Sequence, residues 1–228
     1  MFQDLYTSGA YLHKNPDWHV EESPWKSRNI LRMLTRNGIV PATVCEVGCG
    51  AGEVLRLLQR EMSHATFCGY DISPHALELS RSRANERLHF ELTDIRDKPH
   101  LQVDLMLLLD VIEHVEDYFS LLRDIKGKAK YTIFQIPLDL SVQTILRGRS
   151  LLRKRERWGH IHYFTAETAL QLLRETGFEP LDCFYTSPPP STAFRDRLLS
   201  LLLRIPLAVH PQLTVRLFGM ARLVVLAS

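Results

Sequence analysis

The stretch Thr43-Val44-Cys45-Glu46-Val47-Gly48-Cys49-Gly50-Ala51-Gly52 decides the fold of this chain. Residues 43–47 are mostly β-branched or apolar and predict a strand. The three glycines after them predict a tight turn, and an apolar stripe predicts a helix over residues 52–62. A strand, a glycine-rich turn and a helix in this order are typical of doubly wound α/β folds, in which ligands bind at the carboxyl ends of the strands.

Strands and helices alternate after this motif, which predicts a mostly parallel sheet with right-handed crossovers. Further strands are predicted at residues 65–70, 88–92, 103–109, 131–136, 181–185 and 221–227. Helices are predicted at residues 25–37, 52–62, 74–85, 117–125, 165–176 and 192–204. The long connection before the last strand fits an antiparallel final strand. We therefore expect a single domain over residues 1–228.

Three segments lie outside this alternation. Residues 1–42 form a cap segment before the first strand, and residues 138–157 and 187–218 are insertions. Specificity in doubly wound proteins comes from what surrounds the strand ends, because the sheet itself is generic. We therefore expect both insertions to lie near the opening through which a substrate enters.

The composition is that of an ordinary globular protein. Of the 228 residues, 45% are hydrophobic and 24% are charged, and the formal net charge is +2. These values argue against a disordered chain, a coiled coil and a dedicated nucleic-acid binder. The chain has no apolar run of about 18 residues, no signal-peptide pattern at its start, and no CxxC pair among its four cysteines. We expect a cytoplasmic protein.

Four acidic residues each end a predicted strand, and so fall on one edge of the sheet: Glu46, Asp71, Asp94 and Asp110. Asp71 lies 19 residues after Gly52, which is about the distance at which an acid meets ribose hydroxyls in doubly wound nucleotide sites. Asp94 could accept a hydrogen bond from an adenine amino group. Asp94 and Asp110 could instead cap helices.

The glycine turn suits an adenosine compound that lacks phosphate. Its spacing is GxGxG rather than GxGxxG, and the carboxylate of Glu53 at the sixth position would repel a pyrophosphate. Glu46 adds more negative charge. S-adenosylmethionine fits this edge because it carries an ammonium and a sulfonium group.

Residues 43–137 resemble the core of the class I S-adenosylmethionine-dependent methyltransferases. The matching segments are residues 44–52, 69–72, 93–95 and 110–115, with residues 159–165 and 177–178 resembling the rear of that core. The resemblance spans roughly residues 40–186. It implies a Rossmann-like sheet of seven strands with helices on both faces, S-adenosylmethionine as the cofactor, and methyl transfer. It does not identify the acceptor.

The predicted cofactor site combines the glycine turn with the strand-end acids and the residues next to them. Its members are Glu46, Gly48, Cys49, Gly50, Gly52, Asp71, Ile72, Asp94, Ile95, Asp110 and Val111.

His114 is the candidate general base, because it follows the fourth long strand on the same edge. The alternative is a structural role in which His114 bonds a neighbouring loop. Asp110, Glu113, His114 and either His160 or His162 could also form a metal site. Certain RNA-end and quinone methyltransferases are similar at this point, but they have glutamate where this chain has Asp110. We expect no metal.

Aromatic residues are frequent in the cap segment, and we expect them to cover the cofactor through cation–π contact with its sulfonium. They are Tyr6, Tyr11, Trp18, His19 and Trp25. The alternative is a hydrophobic staple that holds the segment to the sheet. Lys26, which follows them, could reach a carboxylate or remain exposed.

Both insertions carry arginines. Six of the eleven residues from Arg147 to Arg157 are Arg or Lys, which indicates either a solvated loop or capture of an anionic group. The predicted helix 192–204 is broadly apolar. It would pack on the core, form a dimer interface or contact a membrane peripherally. Together these features favour an acceptor with an anionic and an apolar part.

The sequence therefore predicts a methyltransferase for an oxygen or nitrogen of a small molecule, which could be glycan- or lipid-linked. An RNA or protein methyltransferase is the first alternative, although the chain carries no dedicated nucleic-acid module. A non-catalytic protein that binds S-adenosylmethionine as a partner is the second alternative. The oligomeric state is left open.

Overall fold

A computed structural model of the chain describes residues 6–187, 206 and 209–228. Its centre is a seven-stranded sheet in the order β3-β2-β1-β4-β5-β7-β6, in which β7 runs antiparallel to both of its neighbours. The strands are β1 Thr43–Val47, β2 Thr66–Asp71, β3 Leu88–Leu92, β4 Val103–Leu109, β5 Ala129–Pro137, β6 Pro180–Thr186 and β7 Arg222–Ala227. The predicted doubly wound, mostly parallel sheet with an antiparallel last strand is confirmed.

Helices cover both faces of the sheet. They are α1 Ala10–Lys14, α2 Ser23–Asn37, α3 Glu53–Glu61, α4 Pro74–Ser80, α5 Tyr118–Ile125, α6 Val142–Leu146, α7 Ser150–Trp158, α8 Ala166–Glu175 and α9 Pro211–Phe218. One apolar core packs α2 and α3 against the sheet, and a second core packs α5 and α8 on the opposite face. Burial on both faces explains why β4 reads as a continuous apolar run.

Local chemistry fixes the ends of several elements. The side chain of Thr165 caps α8, and Thr168 completes a reciprocal capping box. The predicted helix 74–85 ends earlier, at Ser80, and continues as a 3-10 turn at Arg81–Arg83. Asn85 then leaves the helical path, since its amide pairs with Gln59 at 2.7 and 3.0 Å.

The two insertions join the sheet at the carboxyl ends of the parallel strands. The first folds into α6 and α7 directly after β5. In the second, α9 leads into β7, whose first residue, Arg222, pairs with the last residue of β5, Pro137. The predicted helix 192–204 lies outside the described residues. Within the described ranges, no helix combines the length and apolar character required to cross a bilayer.

Candidate active site

A cavity of about 350 Å³ opens at the carboxyl ends of β1, β2, β3 and β4. Eight residues of the predicted cofactor and catalytic set line it: Gly48, Asp71, Ile72, Asp94, Ile95, Asp110, Val111 and His114. Three aromatic residues of the cap segment also line it: Tyr6, Tyr11 and Trp18. Glu46, Cys49, Gly50 and Gly52 are not part of its wall.

Several wall residues were not predicted: Val47, Tyr70, Thr93, Arg96, Val115, Glu116, Asp117 and Leu121. Most of them are direct neighbours of predicted residues at the strand ends. Leu121 comes from helix α5 and carries no signal of its own, because its spacing is that of any core-facing residue.

The glycines of the turn allow close packing on both sides. Gly50 has a φ of 54°, and a Cβ placed there would lie 2.5 Å from Cδ1 of Trp18. Gly52 has a φ of 74°, and its Cβ would lie 2.3 Å from Cζ of Phe90. Gly50 thus lets the Trp18 indole lie on the turn, whereas Gly52 serves the packing of the turn against β3.

Asp71 ties the end of β2 to the glycine turn. Its two carboxylate oxygens accept hydrogen bonds from the backbone N–H groups of Gly50 and Ser73, each at 2.8 Å. Burial raises the pKa of Asp71, while these two N–H groups oppose that shift. Each oxygen keeps further acceptor capacity toward the cavity, which suits a pair of hydroxyl donors.

Asp94 caps the turn Ile95–Asp97 and forms a forked ion pair with Arg96, whose Nη2 lies 2.6 Å from Oδ2. The hydrogen bonds from Arg96 lower the pKa of Asp94. Both side chains line the cavity. The capping role considered for Asp94 is therefore present, and it coexists with a place on the cavity wall.

Asp110 is the centre of a buried ion cluster. It lies 2.7 Å from Nζ of Lys26 and 3.0 Å from Nε of Arg222, and it accepts a hydrogen bond from Gln135 at 2.9 Å. Burial alone would raise its pKa, but Lys26 and Arg222 hold the pKa of Asp110 well below its usual range. Although Asp110 borders the cavity, its carboxylate is paired with Lys26 of α2 and Arg222 of β7, and so links these elements to the end of β4.

Glu53 does not face the cavity. Its carboxylate pairs with Arg56 and Arg83 at 2.6 and 2.7 Å, and hydrogen bonds from these arginines lower its pKa to about 2. The expectation that Glu53 repels a pyrophosphate at the turn is therefore wrong, because two guanidinium groups neutralise it. The acids that do line the cavity are Asp71, Asp94, Asp110, Glu116 and Asp117.

Glu46 lies behind the wall and is only 3% exposed. Its Oε2 atom has no hydrogen-bond partner among the described residues. Burial, reinforced by Asp71 and partly offset by Lys26, raises the pKa of Glu46 to about 8. The carboxyl group is therefore largely protonated at neutral pH.

This protonation should make stability depend on pH. Between about pH 4.5 and 8 the folded state binds more protons at Glu46 than the unfolded state, so stability falls as pH rises. The pKa of His114 is lowered to about 3. His114 therefore makes stability rise with pH, but only below pH 6.5, the pKa of histidine in the unfolded chain. We expect Glu46→Gln to flatten the slope above pH 6.5 by up to about 1.4 kcal/mol per pH unit.

Urea unfolding of the ligand-free protein at several pH values between 6.5 and 8 measures this slope. Glu61→Gln, which removes an exposed glutamate at the end of α3, is the matched control. Equal slopes in the wild type and Glu46→Gln would show that Glu46 ionises normally.

The cap segment closes over the cavity. The hydroxyl of Ser73 donates to the carbonyl of Tyr6 at 2.8 Å, and the Tyr11 hydroxyl lies 3.0 Å from Nε2 of His19. Trp18 and His19 both adopt left-handed backbone conformations, with φ of 48° and 56°. Two successive non-glycine residues in this region are costly, and their conformation directs Trp18 onto the glycine turn.

His114 ends the 3-10 turn Ile112–His114 and is held in one tautomer. Its Nδ1 lies 3.1 Å from the carbonyl oxygen of Gly159, so Nδ1 carries the proton and Nε2 keeps a lone pair. Burial, together with the neighbouring ring of His160, lowers the pKa of His114 to about 3. The loop contact considered for His114 is therefore present, and it leaves a neutral acceptor nitrogen.

Behind His114 lies a second polar group. His160 packs edge-on against His114 with ring centroids 4.9 Å apart, and its Nδ1 lies 2.5 Å from Asp139. Lys154 pairs with the other oxygen of Asp139 at 2.5 Å. His162 instead contacts the carbonyl of Val115 at 3.0 Å.

Glu113 is fully buried, and neither carboxylate oxygen has a hydrogen-bond partner within the part of the chain that the structure describes. Burial and the charge of Asp110 raise the pKa of Glu113 well above its usual value. Glu113, His114 and His160 each offer one atom within 4.8 Å of the others. Within the part of the chain that the structure describes, these three form the group that could hold a divalent metal. The carboxylate of Asp110 is already paired with Lys26 and Arg222.

A doubly wound sheet with this strand order, a glycine turn and acids around one cavity defines the Rossmann-like methyltransferase fold. Residues 18–182 match the family model described as a methyltransferase domain. The chain therefore belongs to this family, and it is an S-adenosylmethionine-dependent methyltransferase. Comparison with curated protein sequences finds no match.

Solved structures share the fold at low sequence identity. The magnesium protoporphyrin IX methyltransferase from Synechocystis PCC 6803 with bound SAH is 18% identical, with a TM-score of 0.61 over 89% of this chain and 81% of that chain. A SAM-dependent methyltransferase from Archaeoglobus fulgidus is 19% identical, with a TM-score of 0.58 over 88% and 93%. The N-methyltransferase NodS from Bradyrhizobium japonicum WM9 is 16% identical, with a TM-score of 0.58 over 92% and 88%.

Proposed function

We propose that this methyltransferase binds S-adenosylmethionine in the 350 Å³ cavity and methylates an oxygen or nitrogen of a small acceptor with an anionic and an apolar part. A glycan- or lipid-linked precursor is an acceptor of this kind. The observation that carries the proposal is the position of His114, a neutral base on the wall that also holds the strand-end acids.

The wall offers a distinct partner for each part of the cofactor. Asp71 suits the ribose hydroxyls, because its oxygens are oriented by backbone N–H groups and still accept. Asp94 and Ile95 suit the adenine, and Gly48 leaves room for the methionine portion. Trp18 and Tyr11 supply aromatic faces for the sulfonium.

S-adenosylmethionine supplies an electrophilic methyl group, so the protein needs only to align the acceptor, exclude water and take up a proton. The cap segment excludes water by covering the cavity. His114 accepts the acceptor's proton at Nε2, while the carbonyl of Gly159 holds the ring in place. A base of low pKa suffices here, because an oxygen that gains a methyl group becomes strongly acidic.

Asp71→Ala should weaken binding of S-adenosylmethionine by about 1.5–3 kcal/mol, or roughly 10- to 150-fold in Kd. The substitution removes a charged acceptor from the ribose subsite and frees the Gly50 N–H group. Isothermal titration calorimetry measures the change. Asp71→Asn, which keeps one acceptor oxygen, should lose less affinity.

Asp97→Ala is the matched control, because Asp97 is an exposed acid on the same edge that is not part of the cavity wall. Unchanged affinity in a folded Asp71→Ala protein would contradict the ribose assignment.

Labelled S-adenosylmethionine incubated with the enzyme and a cell extract tests the acceptor class. We expect label in small molecules that bind an anion exchanger and partition into organic solvent. Label in RNA or protein would establish the first alternative instead. Tight cofactor binding without label in any fraction would indicate a non-catalytic partner protein.

A further inference from the structure

Helices α6 and α9 pack against each other, and the exposed apolar side chains that they carry are named here the apolar rim face. Its members are Val142, Ile145 and Leu146 on α6 and Leu213, Leu217 and Phe218 on α9. Leu146 is 81% exposed and Ile145 is 61% exposed. Exposed apolar residues scattered singly are common, but grouped ones mark an interaction surface.

The helices hold this face outward because their opposite sides are anchored. Ser141 and Thr144 form a capping box that fixes α6, and Thr144 is buried. Thr214 and Val215 bury the inner side of α9. The apolar residues on the outer sides therefore cannot turn inward without breaking these contacts.

A basic helix adjoins the apolar rim face. Helix α7 and the turn before it expose five arginines, Arg147, Arg149, Arg153, Arg155 and Arg157, against one acid, Glu156. Lys154 on the same helix is paired with Asp139. Lys154 therefore supports the active site, whereas Arg149, Arg153 and Arg157 are exposed.

Both features lie on the same edge of the sheet as the cavity. Helix α6 follows the end of β5, and α9 leads into the start of β7 beside it. Gly159, directly after α7, accepts the hydrogen bond that positions His114. A surface bound to this face would therefore lie at the edge of the sheet where the cavity is located.

We propose that the apolar rim face and the arginines of α7 dock the enzyme on the surface of an anionic lipid bilayer. Apolar side chains that enter the interface and arginines that meet lipid phosphates are the two halves of peripheral membrane binding. A second copy of the chain fits less well, since it would bring two arginine-rich helices together. An RNA backbone would use the arginines and leave the apolar residues without a role.

This inference rests on the proposed function in one respect, the choice of acceptor, because a lipid-linked acceptor would reach the cavity from the bilayer. Vesicle flotation of the full chain tests the docking itself. We expect flotation with vesicles that contain an anionic phospholipid, little with purely zwitterionic vesicles, and a loss of binding at high salt.

Two pairs of substitutions separate the halves of the surface. Arg153→Gln with Arg157→Gln should lower partitioning onto anionic vesicles about 30-fold. This figure combines the losses of the two arginines, each of which is attracted to an anionic surface. Ile145→Ser with Leu146→Ser should lower it at least about 10-fold through the lost apolar burial.

The chain offers matched controls on the opposite edge of the sheet. Arg60→Gln with Arg174→Gln removes two exposed arginines at the ends of α3 and α8. Val40→Ser with Leu181→Ser removes two apolar residues that are 76% and 49% exposed. Both control proteins should float like the wild type.

Absence of wild-type flotation, or equal losses in test and control variants, would overturn the proposal. So would an oligomer in sedimentation that Ile145→Ser with Leu146→Ser dissolves, or preferential capture of single-stranded RNA. Methylation of a water-soluble acceptor without flotation would refute docking but leave the proposed function standing. Flotation without label transfer to any fraction would support the docking and refute the proposed function.

Discussion

Replacing His114 with alanine should lower turnover about 10²–10⁴-fold and leave the affinity for S-adenosylmethionine nearly unchanged. The substitution removes Nε2, the proton acceptor that we propose, without touching Asp71 or the glycine turn. The effect should be largest for a hydroxyl acceptor, since an amine that is already deprotonated depends less on a base. Steady-state kinetics and calorimetry on one preparation measure both quantities.

The lowered pKa of His114 also predicts the shape of the pH profile. Because the pKa of His114 is lowered to about 3, the wild type should show no loss of activity from histidine protonation between pH 5 and 8. His162→Ala is the matched control, since His162 bonds a backbone carbonyl but does not line the cavity. Turnover within a few-fold of wild type in His114→Ala would leave alignment alone as the source of catalysis.

Asp110→Asn should destabilise the fold by about 3–5 kcal/mol, because it leaves two largely buried cations without their shared anion. Lys26 and Arg222 are only 14% and 19% exposed in their side chains. Asparagine is chosen because Asp110 has a φ of 58°, a left-handed conformation that asparagine tolerates. Any loss therefore reports the charge rather than the backbone. Urea unfolding at neutral pH measures it.

Asp182→Asn is the control for this experiment. Asp182 also pairs with an arginine, Arg36, but the side chain of Arg36 is 42% exposed, so the change should stay within about 1 kcal/mol. Adding Lys26→Met to Asp110→Asn should recover part of the lost stability, since one unpaired cation is then removed. A cost below 1 kcal/mol for Asp110→Asn would show that water compensates the cations.

Predicted and observed elements agree most closely where the pattern of buried residues is set within one short segment of the chain. The strands at Thr43–Val47, Leu88–Leu92 and Val103–Leu109 match their predicted bounds residue for residue. Asp71 and Asp94 could be placed on one edge because parallel strands end together. In contrast, the predicted helix 74–85 extends past the observed helix and over the 3-10 turn at Arg81–Arg83, because its termination depends on Gln59 from another element.

The sequence by itself determined the sheet, the glycine turn and the family. Each depends on contiguous residues, and their spacing determines which face of a strand or helix is buried. Only the tertiary structure decided how the charges are used. Asp110 and Arg222 are 112 positions apart, and Glu53 is turned toward Arg83 on a neighbouring turn. His114 owes its tautomer to Gly159, 45 residues later. Such pairings depend on which segments packing brings within hydrogen-bond distance, and a linear pattern of residue types does not contain that distance.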